Sequence, residues 1–353
     1  MTNYANKNIQ AIKPYSPPLE GRRNFEGQLL DFNERTIPIN KSVVKALINL
    51  INGDQIQIYP EYKDLCEKIA TYSGVKKDQL MITNGSDQGI DLIFRTFTQK
   101  GDRVIIPSPS FAMFYQCSQV MGNKIIMPTY DKDGSFPAEK VIKSIKSGVK
   151  LVVICNPNNP TGTAIEIQDI ERIAKKALKY NAILYVDEAY FEFCKITATG
   201  LIDKYPNLII TRTFSKAFGL ASLRIGYTIS SPKNLAEMLK VRGPYDMNMP
   251  AVVAAKAALS DMKSLVVYVD EIMNKSKPMV EDLFIKNKIE FYPSHANFIL
   301  FRPQNSSILA DKLKKSGFLT RPRGGKGIEG TIRLTIGSVS QMKKFINQFK
   351  NVK

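Results

Sequence analysis

Through the middle of the chain, short apolar runs alternate with amphipathic stretches. Leu80-Met81-Ile82-Thr83, Val104-Ile105-Ile106, Lys124-Ile125-Ile126-Met127, Leu151-Val152-Val153-Ile154-Cys155, Ala182-Ile183-Leu184-Tyr185-Val186, Asn207-Leu208-Ile209-Ile210 and Ile225-Gly226-Tyr227-Thr228-Ile229 read as strands. They are short, rich in β-branched residues and bounded by turn residues. Ile90, Ile93, Phe94 and Phe97 fall at i, i+3, i+4 and i+7, one face of a helix, and Ile167, Ile170, Ala174 and Leu178 form another. Val43 to Ile51 and Tyr62 to Tyr72 also carry helical spacing, and Asn84 to Asp87 reads as a turn. Such alternation predicts βαβ units and a mostly parallel sheet buried on both faces.

After about Pro232 the rhythm changes. Leu235 to Val241, Ala251 to Phe284, Ile308 to Ser316 and Gln341 to Phe349 read as helices. Ile289 to Tyr292, Asn297 to Phe301, Phe318 to Arg321 and Thr331 to Ile336 read as strands, and Arg323 to Gly327 as a flexible loop without P-loop spacing. The first 40 residues are irregular and hold Pro14, Pro17, Pro18 and Pro38, as an arm laid over something else would. The predicted fold is α/β: a large domain over 46–235 with a mostly parallel sheet flanked by helices, and a smaller α+β domain over 236–353. The arm, residues 1–45, joins the smaller domain.

Composition narrows the function. Lys and Arg outnumber Asp and Glu by 50 to 32, giving a net charge of +18. The lysines are spread along the chain, which favours a basic surface that attracts small anions over a nucleic-acid stripe. Cys66, Cys117, Cys155 and Cys194 form no C-x-x-C pair and His295 is the only histidine, so no zinc site is expected. Residues 1–10 lack the apolar run of a signal peptide, and no segment reaches the ~18 apolar residues of a membrane span. A reduced, cytoplasmic protein is expected.

The strand ends carry the chemistry. In an open α/β sheet, ligands sit beyond the carboxyl ends of the strands. Gly85-Ser86-Asp87 can cradle a phosphate with free N–H groups, or be a plain helix cap. Phe111 can stack on a flat heterocycle, or be core. Asn159, in a rigid Asn-Pro-Thr-Gly loop, can point at a phenolate oxygen, or belong to an ordinary turn. Asp187 can pair with a protonated pyridine nitrogen, or cap a helix, and Tyr190 lies three residues on. Lys216, close behind Thr213 and Ser215 and eight residues before Arg224, can be a Schiff-base lysine over a phosphorylated cofactor, or a solvated surface lysine. A serine-hydrolase reading of this stretch lacks a Gly-x-Ser-x-Gly elbow. Together these groups fit pyridoxal phosphate.

Thr83 to Asp87, Asn156 to Gly162, Val186 to Tyr190 and Arg212 to Tyr227 resemble the motifs of fold-type I, pyridoxal-phosphate-dependent aminotransferases, in their histidinol-phosphate branch. The resemblance covers nearly the whole chain. It implies Lys216 as the catalytic, cofactor-bearing lysine and Asp187 at the pyridine nitrogen. It implies Asn159 and Tyr190 at the ring oxygen and Phe111 on the ring face. Gly85, Ser86, Asp87, Thr213, Ser215 and Arg224 fall on the phosphate side. Tyr59 resembles a tyrosine supplied to the partner subunit's cofactor, which implies a homodimer with the active site shared across the interface. Arg333 resembles the arginine for a substrate carboxylate or equivalent anion, and Arg321 and Tyr15 resemble contacts to a substrate phosphate. Asn33 begins Asn33-Glu34-Arg35-Thr36, where the branch usually has Asn-Glu-Asn-Pro near the substrate, and Phe111 stands where tyrosine is common.

The expected activity is transamination of histidinol phosphate with 2-oxoglutarate. The alternatives are an aromatic amino-acid aminotransferase and a phosphothreonine-type decarboxylase on the same scaffold. A basic nucleic-acid-binding protein is the competing reading outside enzymes, and it lacks any recognisable reader motif.

Overall fold

The computed structural model describes residues 4–131 and 133–352, so the first three residues of the expected arm and the last of the expected small domain lie outside it. Its main sheet has seven strands in the order Leu80–Thr83, Gly226–Ser230, Leu208–Thr213, Ile183–Asp187, Val149–Cys155, Arg103–Ile105, Lys124–Ile126. All pairings are parallel except the two made by Gly226–Ser230. That reversal has a simple cause. Twelve residues separate Thr213 from Gly226, and they hold only the three-residue turn Ala221–Leu223. A parallel return needs a longer, usually helical, crossover. Gly226–Ser230 therefore starts at the rim where its neighbours end, and Arg224 arrives beside the other strand ends.

Strand Val149–Cys155 shows why the sheet is apolar throughout. Val149, Val152 and Ile154 pack into one core cluster, and Leu151, Val153 and Cys155 into another on the opposite face. Helix Ile167–Lys179 closes one face with Ile170, Ile173, Ala174 and Ala177. Helix Gly85–Phe97 closes the other with Ile90, Ile93 and Phe94. The expected turn at Asn84 to Asp87 is instead the start of this helix. Gly226 makes that possible, because a Cβ there would fall 2.7 Å from the Ser86 nitrogen.

Beyond residue 286, Arg321–Arg323, Thr331–Thr335, Phe298–Arg302 and Glu290–Phe291 form an antiparallel sheet in that order. The expected single strand over Phe318 to Arg321 divides at Thr320. Phe318–Leu319 pairs in parallel with Gln28–Leu29 from the N-terminal segment, while Arg321–Arg323 joins the antiparallel sheet. Arg323 is thus in a strand, not in the expected flexible loop. The helical pattern over Ala251 to Phe284 also divides. Asp261 caps Met262–Asp270 by accepting from the Ser264 N–H, and a wide turn over Glu271–Ser276 precedes Pro278, which has no N–H to give the ladder. Helices Ala112–Val120 and Ala138–Ser144 had no readable period.

Arg212 and Glu188 form an ion pair at 2.9 Å with side chains 1% and 0% exposed. Thr197 and the Ala198 N–H donate to the same carboxylate, and the guanidinium lies 3.6 Å from the Phe191 ring centre. Glu188→Ala should strand a buried cation, and a loss of ~3–5 kcal/mol in urea unfolding is expected. Wild-type stability would contradict this account of the pair.

Candidate active site

The strand ends open into a cavity of about 760 Å³. Lys216 lies on its wall, and its Nζ donates to the Phe32 carbonyl at 2.9 Å. Burial, then the charge of Arg333, pulls its ammonium down to about 8. Asp187, the last residue of its strand, is 2% exposed. Its Oδ1 accepts from the Ala189 N–H and from the Thr211 hydroxyl, each at 3.2 Å. Thr211 is held in turn by Tyr185 at 2.7 Å. Since Thr211 donates to Asp187, Tyr185 must donate to Thr211. Asp187 has no cation partner among the described residues, and burial pushes its carboxyl up to about 7.

Tyr190 and Asn159 flank the same space. The Tyr190 oxygen accepts from Asn33 Nδ2 at 2.9 Å, so its own O–H remains to donate. Asn159 Oδ1 accepts from Arg333 Nη1 at 2.6 Å, which leaves the amide NH₂ to donate. Arg333 Nη2 donates to the Asp31 carbonyl at 2.6 Å, and burial pulls the guanidinium down to about 10. The loop before Asn159 is pinned by Ser110 donating to Asn158 and Asn158 to Thr161. Phe111 lines the cavity and meets Phe114 edge-on at 5.6 Å.

The far end of the cavity is built on the first turn of helix Gly85–Phe97, where Ser86 and Asp87 line the wall. Arg224 Nη2 pairs with Asp87 at 3.0 Å, and Nη1 donates to Ser215 and to the Ala221 carbonyl. Thr213 donates to Ser215 at 3.0 Å. Arg224 holds a left-handed φ of 53°, a strained state for a side chain of its size. Gly85 has φ 67°, and a Cβ there would strike the Arg224 guanidinium. This end, with N–H groups, hydroxyls and a guanidinium, suits an anion. The Asp187 end suits a heterocyclic cation.

At the mouth, Tyr15 and Arg321 line the cavity as expected. Tyr59 is not brought there. It is 68% exposed and stacks on Tyr245 at 4.4 Å. Sequence reasoning missed Arg323, Arg22, Phe32 and Thr211. Arg323 was signalled by its period-two spacing from Arg321, and Thr211 by its spacing from Thr213. Arg22, paired with Asp31 and Glu34 and set over the Phe32 ring, had no local signal.

Residues 26–349 match the family described as aminotransferase class I and II. The chain belongs to that family. A histidinol-phosphate aminotransferase of Caldanaerobacter subterraneus subsp. tengcongensis is 36% identical over 346 residues, 95% of this chain and 97% of that protein. A dihydroxyacetone phosphate transaminase of Campylobacter jejuni is 34% identical over 351 residues, 96% of this chain and 94% of that protein. The solved histidinol-phosphate aminotransferase of Sinorhizobium meliloti, in complex with pyridoxal-5'-phosphate, shares the fold at TM-score 0.89 and 24% identity, covering 100% of this chain and 99% of that one.

The unpaired Asp187 makes this aminotransferase's stability depend on pH. An aspartate near 4 when unfolded and about 7 when folded binds its proton more tightly in the native state. Charging it costs nothing below pH ~4 and the cost grows up to pH ~7, to on the order of 4 kcal/mol. Asp187→Asn should therefore raise the melting temperature of the cofactor-free protein at pH 8, and the gain should shrink by more than half at about pH 5. A gain independent of pH would show that the carboxylate is already compensated.

Proposed function

We propose that this aminotransferase uses pyridoxal 5'-phosphate to move the amino group of histidinol phosphate to 2-oxoglutarate. The phosphorylated donor rests on one observation. Arg321 stands directly opposite Arg333 in the antiparallel ladder, both face the cavity, and neither has a carboxylate partner among the described residues. Like charges placed opposite one another destabilise a sheet. The arrangement is accounted for by a multiply charged anion held between them. A phosphate ester carries about −1.5 to −2 at pH 7, and 2-oxoglutarate brings two carboxylates to the same place. Guanidinium forks match both. An aromatic donor would leave the mouth arginine unpaired. The names of the relatives support a phosphorylated substrate in two versions, histidinol phosphate and dihydroxyacetone phosphate.

Pyridoxal phosphate fits the inner cavity. Asp187 lacks a cation there, and the cradle at Gly85 has no room for a side chain. When bound, the cofactor supplies an aldehyde that condenses with amines and a protonated ring that accepts the electron pair of a broken C–H bond. Asp187 would keep that ring nitrogen protonated, with Thr211 and Tyr185 holding the carboxylate in place. Asn159 and Tyr190 donate their free hydrogens to the ring oxygen. Phe111 covers one ring face. Ser86, Thr213, Ser215 and Arg224 bind the phosphate, and Asp87 steadies Arg224. Lys216 would hold the cofactor's aldehyde, and its free Nζ would take the proton from the substrate α-carbon. An ammonium at about 8 is neutral in roughly one molecule in ten at pH 7, enough to act as a base.

The active unit on this reading is a homodimer. Helix Lys41–Ile51 exposes Val44, Ile48 and Ile51 along one face, and Ile56, Ile58 and Tyr59 continue the apolar surface. A second copy is the partner that supplies the same surface in return. Tyr59 would then serve the partner's site. Four unpaired cysteines fit a reducing cytoplasm, and no helix among the described residues is long and apolar enough to cross a membrane.

Arg321→Ala should cut kcat/KM for histidinol phosphate by roughly 10- to 100-fold and leave phenylalanine turnover within about twofold. Equal losses on both donors would favour an aromatic aminotransferase. Turnover of glutamate with dihydroxyacetone phosphate, without turnover of histidinol phosphate, would replace the donor. Lys216→Ala and Tyr59→Ala proteins should each be folded and impaired. Mixed and refolded together, they should regain activity that neither has alone, since one site in each mixed dimer is complete. No recovery would overturn the shared site.

A further inference from the structure

We propose that Arg323 is a specificity-determining residue that makes the mouth of this site select a doubly charged phosphate over a singly charged tail, an inference that rests on the phosphorylated-substrate reading above. Arg323 follows Arg321 by two residues in the strand Arg321–Arg323, so both side chains leave the same face, while Pro322 between them is exposed. Both line the cavity. Arg323 is partly buried, its Nε has no hydrogen-bond partner, and no carboxylate pairs with it among the described residues. Burial and the neighbouring charge of Arg321 pull its guanidinium down, while Tyr15 pushes the other way. The groups that face it are thus two phenols, Tyr15 and Tyr190, and two more arginines, Arg321 and Arg333.

A single guanidinium is enough for a carboxylate, which offers two oxygens and one charge. A phosphate offers three oxygens and, above its second ionisation near pH ~6, two charges. Two guanidiniums on one strand, with the Tyr15 hydroxyl beside them, match that group in both oxygen count and charge. A partly buried guanidinium with no acceptor of its own is costly to keep. Arg22, by contrast, is neutralised by Asp31 and Glu34, and Arg224 by Asp87. Arg23, the other outer arginine without such a partner, is exposed to solvent, whereas Arg321 and Arg323 are partly buried, and the ligand completes them.

The test uses enzyme loaded with pyridoxal 5'-phosphate, wild type against Arg323→Met and Arg323→Lys. Binding of propyl phosphate and of butyrate is measured by calorimetry from pH 5 to 8, beside kcat/KM for histidinol phosphate and phenylalanine. Wild type should bind propyl phosphate more tightly as pH rises through about 6, following the dianion. Arg323→Met should weaken that binding roughly 10- to 100-fold and flatten its pH dependence, weaken butyrate binding far less, and lower kcat/KM for histidinol phosphate more than for phenylalanine. Arg323→Lys should restore part of the affinity as a point charge. Propyl phosphate binding within twofold of wild type, or equal losses for butyrate, would overturn the role of Arg323 and leave the phosphorylated-substrate reading standing. Failure of wild type to prefer propyl phosphate over butyrate would overturn both.

Discussion

A buried acid without a cation organises this molecule. Along the strand Ile183–Asp187, side chains alternate between the two faces of the sheet, and Asp187 shares a face with Tyr185 while its neighbour Glu188 turns the other way. The adjacent strand obeys the same rule: Thr211 faces Asp187, and Arg212 faces Glu188. The sheet thus sorts two acids and one arginine onto opposite sides. Glu188 and Arg212 satisfy each other beneath the sheet. Asp187 is left above it with hydroxyl and amide donors but no compensating charge. A one-residue slip of either strand would cancel the asymmetry and the chemistry with it.

The mouth of the cavity repeats that logic with the sign reversed. Antiparallel pairing sets Arg321 against Arg333, and the pleat adds Arg323 on the same side. Each sheet contributes an unbalanced charge at one end of a single cavity, an acid from the parallel sheet and guanidiniums from the antiparallel one. Ligands able to balance both must together bring a cation to one end and anions to the other. That requirement narrows the chemistry more than the cavity's volume does.

How much of this could be read from the sequence follows from the range of each interaction. Strands and their special terminal residues were legible because an apolar run followed by Asp187, Asn159 or Lys216 is a local pattern. The reversed strand Gly226–Ser230 was hidden because direction depends on the length of the preceding connection, not on the strand's own residues. Arg323 was hidden by glycines that followed it and suggested a loop. Arg22 was out of reach altogether, since its role depends on Asp31, Glu34 and Phe32 folding back over it inside an irregular segment. Tyr59 shows the other boundary. Its own chain leaves it on the surface, and no geometry within one chain assigns it a cofactor to touch.

The N-terminal segment reads as an arm by composition, yet three consecutive residues of it hold side chains of the cavity wall in place. The Asp31 carbonyl holds Arg333, the Phe32 carbonyl holds Lys216, and the Asn33 side chain holds Tyr190. Serving three directions from three successive residues requires a sharp change of backbone course, and Asn33 provides it with a φ of 57°, which asparagine tolerates better than most residues. Asn33 is itself pinned by Thr335 and Asn297. Arg35 then reaches back to the Ala217 carbonyl, one residue past the lysine. At Glu34-Arg35-Thr36, Glu34 binds Arg22 on the cavity wall, and Arg35 clamps the turn behind Lys216. Residues 31–36, without regular secondary structure, can be this exact because most of their bonds end on strand residues or on residues beside the strand ends.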